Sequence, residues 1–329
     1  MIYIMKFYTN ISRYGNSLLY RGYENGKKIS KRIKFKPTLF VSTPKGDWKS
    51  IDGVRCAPLE FEGMRESKTW IEENKHTAGR KIFGNDRHIP AFINSEFPGE
   101  IKYNRNQINV TTIDIEVQSD EGFPHPDSAS YPVTAICMKN NIDNVYYVWG
   151  CGDYDVSQSL MRTNRVVYRK CESELELFEM FLAHWSTPAN YPDVITGWNV
   201  RFFDIPYIIN RSMKILGQDL TKKFSPWNMI EPGTVRRINR TEAVYDIKGI
   251  NTADYLELFQ KYTYSAQESY RLDHIANVIL GDKKLSYEEH GSLFDLYKND
   301  YQKFIDYNIK DVELVDRLEE KMGLITLMM

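Results

Sequence analysis

Of 329 residues only four are cysteines (Cys56, Cys137, Cys151 and Cys171) and six are histidines. The cysteines are scattered and contain no Cys-x-x-Cys pair. They therefore form neither a disulfide frame nor a zinc knuckle and read as free thiols of a reducing compartment. No stretch of ~18 apolar residues occurs, so no transmembrane helix is expected. The opening MIYIMKFYTN lacks a basic segment followed by a long apolar run, so no secretory signal is expected either. Internal repeats and low-complexity tracts are absent. A composition of 42% hydrophobic and 26% charged residues argues against disorder, collagen and coiled coil. What remains is an ordinary soluble chain long enough for about two domains.

Net charge is also scarce, at −1, but its distribution is uneven. Residues 1–50 hold eleven Lys and Arg against Glu24 and Asp47, and residues 51–110 hold nine of each sign. The first 110 residues thus carry +9 and the rest of the chain −10. Such asymmetry suggests a nucleic-acid-binding part beside a part with another task, and a solvated basic face on a small β domain explains it equally well.

Residues 2–42 read as strands and turns, with a hairpin signal at Asn25-Gly26. Residues 64–75 read as a helix. Residues 83–107, rich in Gly, Pro and Asn, read as an inter-domain connection. Beyond residue 108 come the strand INVTTIDIEV, a hairpin made of YPVTAICM and VYYVWG, and the short strand RVVYR. A helix over 173–186 opens on the capping pair Ser173 and Glu176. The strand DVITGW leads to an amphipathic helix ending at Gly217. A protruding hairpin is expected over 235–249, with helices around 254–263, 269–280 and 300–321. This order indicates an α/β domain with a mixed sheet.

Three groups of carboxylates stand out. Asp114 and Glu116 lie two apart in a strand and so share one face, while Ile113, Ile115 and Val117 take the other. Alone, this pair is equally well a solvated sheet face. Asp204 follows Gly197-Trp198-Asn199-Val200-Arg201-Phe202-Phe203 where a helix begins, a position that an N-cap also explains. Tyr307 and Asp311 lie one turn apart on the last helix, where an ordinary acidic helix face is the competing explanation. Acids as hard oxygen ligands suit Mg²⁺ or Mn²⁺, and the His and Cys spacings suit no zinc site.

The order of these motifs is more specific than any one of them. Strand DxE, then N-x₃-F-D, then YxxxD resembles the exonuclease motifs of the 3′→5′ proofreading domain of B-family DNA polymerases. GWNVRFFDIPYIINRSMKILG, KKFSP, DYLEL, YNIKDVELV and RCAPLEF extend the likeness over nearly the whole chain, toward the T-even-type phage branch. The resemblance implies a ribonuclease H-like exonuclease domain with a mixed sheet over 107–329. A small, basic, mostly antiparallel α+β domain over 1–106 would precede it.

By that resemblance Asp114, Glu116, Asp204 and Asp311 match carboxylates that hold two divalent ions, Mg²⁺ or Mn²⁺. Tyr307 matches a tyrosine that positions the attacking water, and Lys284 a lysine near the centre. Phe123 matches an aromatic stacking on terminal bases, and Asn199 and Phe203 belong to the second motif, with structural support as their alternative role. The implied partners are single-stranded DNA or a frayed primer terminus, RNA at the N-terminal domain, and a separate polymerase-domain chain with a sliding clamp. No membrane partner is implied, and the implied location is the cytoplasm of an infected bacterial host. No polymerase motif resembling DTDS or SLYPS is present, so no nucleotide transfer is expected. Competing readings are an RNA-processing exonuclease, a nucleic-acid-binding translational repressor and a glycosidase acid pair.

Overall fold

A computed structural model describes residues 5–119, 122, 124–161, 165–236 and 241–328. The chain divides into two compact units, Met1–Asn104 and Arg105–Met329.

In the first unit β1 (Lys6–Tyr14), β2 (Ser17–Glu24) and β3 (Lys27–Ile33) form an antiparallel sheet in that order. Asn25 and Gly26 join β2 to β3 at φ values of +50° and +79°, the left-handed pair that a two-residue hairpin requires. A second sheet runs β5-β6-β4-β7, built from β4 (Thr38–Ser42), β5 (Trp48–Lys49), β6 (Arg55–Glu60) and β7 (Ile82–Phe83). Helix α1 (Met64–Asn74) and helix α2 (His88–Glu96) accompany the sheets. Residues 83–107 are therefore more than a connection. Pro90 is tolerated in the first turn of α2, and Phe92 is buried edge-on against Tyr20 and Phe35. That packing holds a helix whose short sequence carries little helical signal.

The second unit begins with β8 (Val110–Val117), β9 (Val133–Asn140), β10 (Val145–Gly150), β11 (Arg165–Lys170) and helix α3 (Glu174–Trp185). Next come β12 (Val194–Gly197), α4 (Asp204–Ile215), α5 (Gln218–Thr221), β13 (Ile230–Arg236), β14 (Thr241–Ile247) and β15 (Asn251–Asp254). Helices α6 (Tyr255–Tyr262), α7 (Leu272–Leu280), α8 (Leu293–Asn299), α9 (Tyr301–Met322) and α10 (Leu324–Met328) complete it. Ser173 Oγ accepts the Glu176 amide at the start of α3, as its capping sequence suggests. Helix α8, capped by Ser292, carries no strong periodic signal and was not expected. The hairpin strands β13 and β14 begin five residues earlier than the expected 235–249. Its residues 237–240 lie outside the described ones. Among the described residues no helix is long and apolar enough to cross a membrane.

Six strands form one mixed sheet in the order β11-β10-β9-β8-β12-β15. β8, β9 and β10 are antiparallel neighbours, whereas β11, β12 and β15 join in parallel. Ile113 and Ile115 point into a core with Phe178, Phe181, Trp185, Ile205 and Ile208 from α3 and α4. On the opposite face Ala135, Cys137 and Val148 pack against Phe304, Ile309 and Val312 of α9. The sheet is thus covered on both sides, and Asp114 and Glu116 face α9 rather than solvent. β12 approaches β8 so closely that a Cβ at Gly197 would stand 2.6 Å from the Ile113 carbonyl oxygen. Only glycine permits that separation, and it brings the chain following β12 beside the acidic strand.

Candidate active site

β8 presents Asp114 partly buried and Glu116 buried at 6% exposure, and α9 lowers Asp311, 4% exposed, onto the same face. One carboxylate oxygen from each of the three lies within 4.8 Å of the others. The sheet period of two and the helix period of 3.6 both serve this meeting. Asn308 Nδ2 donates to Asp114 Oδ2 at 2.7 Å, so α9 is keyed to the strand by a fully buried amide. Asn308 adjoins Tyr307 in the YxxxD motif and was not singled out from sequence, because a buried cross-element hydrogen bond leaves no local pattern.

Asp204 lies outside that three-carboxylate group. It is the first residue of α4, whose N-cap is Phe203, and its Oδ1 accepts the Ile115 amide at 3.2 Å. The N-cap explanation therefore does not hold: the carboxylate reaches across to the backbone between Asp114 and Glu116.

The electrostatics are those of a site short of positive charge. Burial, then the charges of Asp311, Asp204 and Glu116, push the Asp114 carboxyl well up. Burial and Asp311 do the same to Glu116. Asp311 is raised by burial, opposed by Lys284. Asp204 is pushed up to about 7 by burial, against the Ile115 amide that favours its charge, with Asp254 and Asp311 adding repulsion.

Lys284 Nζ is the cation that acts most strongly on Asp311, with Lys310 adding a smaller effect. It pairs with Asp311 Oδ2 and lies 3.3 Å from the Tyr307 hydroxyl. Burial works against its charge, but Asp311, Tyr307 and Asp114 outweigh it, so it remains an ammonium. Burial and then Asp311 push the Tyr307 phenol up, keeping it protonated. Cys137, the register partner of Asp114, is held as a thiol by burial and by Asp114 and Asp311, which leaves an all-oxygen donor set.

A divalent-cation fit is visible in the cluster itself. Asp311 Oδ1 is buried and meets no hydrogen-bond donor, although a buried acceptor is costly to leave unpaired. An oxygen-only set of this kind suits a hard cation.

Beside Glu116 opens a cleft of about 700 Å³, lined by Pro124, Phe203, Tyr287, Leu293 and Phe294 among others. Tyr287 stands edge-on to Tyr307, ring centroids 5.5 Å apart. Phe203 therefore reaches the cleft. Among the described residues Asn199 makes no hydrogen bond to the carboxylate group. It holds φ +69°, and its carbonyl accepts the Phe202 and Phe203 amides, turning the chain toward Asp204. Phe123 lies outside the described residues. Tyr287 and Phe294 were not foreseen, because they sit in a segment whose path over the sheet depends on tertiary packing.

Asp254 is a further unforeseen residue. It is 2% exposed. Its Oδ2 accepts the Arg201 amide at 2.9 Å, and its Oδ1 accepts the Leu256 and Glu257 amides at 3.0 and 3.2 Å. One carboxylate thus caps α6 and fixes the loop that delivers Asp204. In Asp254→Asn, an NH₂ must face amide donors on one side. Stability should fall by about 1–3 kcal/mol, with any reaction that uses Asp204 lowered about ten-fold through the loosened loop. Urea denaturation and reaction rates check this. Unchanged kinetics would show that the loop does not need the clamp.

A family model described as DNA polymerase family B, exonuclease domain, matches residues 69–275. That stretch contains Asp114, Glu116 and Asp204, while Lys284, Tyr307 and Asp311 lie beyond it. The DNA-directed DNA polymerases of Escherichia phage RB69 and Enterobacteria phage T4 are each 30% identical over 348 aligned positions. These alignments take in 98% of this chain and 38% of each relative, so the chain spans less than two fifths of their length. The DNA polymerase catalytic subunit of Saimiriine herpesvirus 2 is 26% identical over 56% of the chain and 19% of its own length.

Proposed function

The chain belongs to family B of the DNA polymerases, whose exonuclease domain it carries, and from that membership we propose that it removes nucleotides from the 3′ end of single-stranded or frayed DNA. The single observation carrying this reading is the group of Asp114, Glu116 and Asp311, three carboxylates within 4.8 Å of one another, of which Glu116 lines an open cleft. With Asp204 they would hold two divalent cations, Mg²⁺ or Mn²⁺, in a domain of ribonuclease H-like fold. The chemistry supplied by such a bound pair is activation of water and neutralisation of charge building on the departing 3′ oxygen.

The chain's own residues supply orientation. Tyr307, protonated, hydrogen-bonds the attacking water without serving as its base, and Lys284 holds the phenol in register with Asp311. Phe203 packs against the terminal base, where stacking tolerates any sequence. Asn199 shapes the approach, and Phe123 is assigned the same stacking role from its motif alone. The whole polymerase's partners, a polymerase-domain chain and a sliding clamp, and action in the cytoplasm of an infected bacterial host belong to this proposal as well.

A time course with 5′-labelled single-stranded and mismatched-primer DNA tests it. Stepwise 3′ shortening that stops in EDTA is expected. Cleavage that persists in EDTA would overturn the divalent-cation reading of the carboxylates, and a strong preference for a matched RNA would point to RNA processing.

Charge favours a second activity in the first unit. Lys31, Arg32, Lys34 and Lys36 are exposed on or next to β3, and Arg32 lies over the Tyr14 ring at 4.9 Å. Lys31 and Lys36 are partly committed to Glu24 and Glu62. We assign this face to single-stranded nucleic acid, RNA included. Neutralising the four should weaken binding and flatten the log–log salt slope by about 2–3. Filter binding across a salt series measures it, and an unchanged slope would remove this face from the interface.

A further inference from the structure

We propose that the first unit holds a binding site of its own, for a phosphate monoester, in the cavity that Arg13, Lys68, Arg87 and His88 line. It does not rest on the exonuclease reading, because every residue involved precedes Asn104 and none belongs to the carboxylate cleft.

The cavity has a volume of about 410 Å³. Arg13 comes from β1, Lys68 from α1, and Arg87 and His88 from the start of α2. Several lysines of this unit find acids: Lys6 and Lys31 pair with Glu24, Lys36 with Glu62 and Lys75 with Glu72. Among the described residues Arg13, Lys68 and Arg87 form no ion pair. Two acids also line the cavity. Glu72 is committed to Lys75, which leaves Asp86 as one charge against three. Cations gathered at one cavity repel each other unless an anion lies among them.

Three exposed cations by themselves are a solvated face, and the buried member of the set is His88, 8% exposed. Ser67 Oγ donates to the Met64 carbonyl at 3.1 Å. It therefore accepts from His88 Nε2, 3.0 Å away. The ring proton sits on Nε2, and Nδ1 is the nitrogen left for a ligand, with no protein partner among the described residues. Burial, then Arg13, hold the ring below its ordinary value, with Asp86 opposing and Lys68 adding to the effect. Nδ1 of the neutral ring is an acceptor surrounded by positive charge. A phosphate that still carries a proton can donate it there. Alternatively, the ring takes up a proton once the anion offsets Arg13 and Lys68. In either arrangement one proton stands between Nδ1 and a phosphate oxygen.

Backbone donors complete the site. Arg87, the N-cap of α2, offers its first turn no side-chain acceptor. The amides of His88 and Ile89 meet no acceptor among the described residues, so they remain orphan donors at a helix start. Ile71, Ile89 and Pro90 supply an apolar wall. A bare phosphate fills only a small part of this space. A phosphate with an organic body fills both halves, and two sources offer one: a free mononucleotide and the 5′-phosphate end of a DNA strand.

The test reads His88 itself. In the full chain, EDTA keeps divalent cations off the carboxylates, and the imidazole nitrogen shifts are followed during titration. His88→Gln identifies the signal among the six histidines. Thymidine 5′-monophosphate should move it with a dissociation constant of about 1 mM or tighter, and thymidine should leave it in place. Sulfate keeps both charges across the range, so it isolates the ring's own proton. It should bind about ten-fold more tightly at pH 6 than at pH 8, the equivalent of about one unit in the His88 value. Lys68→Gln and Arg87→Gln break no ion pair of the protein, and each should weaken the nucleotide about ten-fold.

A His88 signal indifferent to the nucleotide at ten times that concentration overturns the proposal. So does an equal response to thymidine, or undiminished affinity in both charge variants. Inorganic phosphate bound as tightly as the nucleotide overturns the assignment to a monoester. A short strand is then compared with and without its 5′-phosphate. Tighter binding of the phosphorylated strand than of the free nucleotide assigns the site to a strand end, and the reverse order assigns it to a mononucleotide.

Discussion

Asp114→Asn is expected to lower strand cleavage by about three orders of magnitude or more while making the cation-free protein more stable at pH 8. Asparagine is the informative replacement. Asn308 Nδ2 donates to Asp114 Oδ2, and alanine would strand that buried donor at a cost of about 1–3 kcal/mol. Asparagine keeps an acceptor there and removes only the charge. Both effects then have one origin. Asp114 repels Asp311, Asp204 and Glu116 in the folded state, so its charge opposes folding, and in the proposed function its use is to hold cations. The stability gain should be present at pH 8 and absent near pH 4, where the wild-type carboxyls are protonated. Rate measurements and paired melting curves check it. A variant that cuts at the wild-type rate would remove Asp114 from the reaction, and one no more stable than wild type at pH 8 would remove the repulsion.

Divalent cations should raise the melting temperature of the second unit strongly at pH 8 and hardly at all near pH 4. Carboxyls whose folded values are raised stabilise the fold below their unfolded values and lose that contribution as pH climbs through the folded values. With Asp204 pushed up to about 7 and Asp254 to about 6, the cation-free protein should weaken steadily from about pH 4 to about pH 7. Mg²⁺ or Mn²⁺ at a hundred times its dissociation constant adds about 2.7 kcal/mol per site, or about 5–10 °C for a unit of this size. Calorimetry across that pH range with and without Mn²⁺ reads the difference. A melting temperature indifferent to cations at pH 8 would mean that the cluster holds none.

Much of this centre is legible in the chain. A period of two put Asp114 and Glu116 on one face and Ile113 and Ile115 on the other, and helical spacing put Tyr307 above Asp311. Burial was not legible. The DxE face could equally have been solvated, and only the packing of α9 decides that it is not. Asp204 looks like a cap until its partner proves to be the Ile115 amide, 89 positions away. Asp254, Tyr287 and Asn308 act through contacts between distant segments, which no local period encodes. Helix α2 escaped notice because Pro90 and the surrounding Asn and Gly outweigh its brief apolar pattern, while Phe92 secures it from within the core.

The bond between Asn308 and Asp114 joins positions 194 residues apart. Contacts so distant along a chain form late, since loop-closure entropy opposes them until the intervening structure is in place. During synthesis β8 leaves the ribosome long before α9 exists, and domains emerge N-terminal part first. Until α9 docks, β8 carries two acids without Asp311 or Tyr307. On the proposed reading, hydrolytic competence would arrive only with the completed unit, and a nascent or truncated chain lacking α9 would be unarmed.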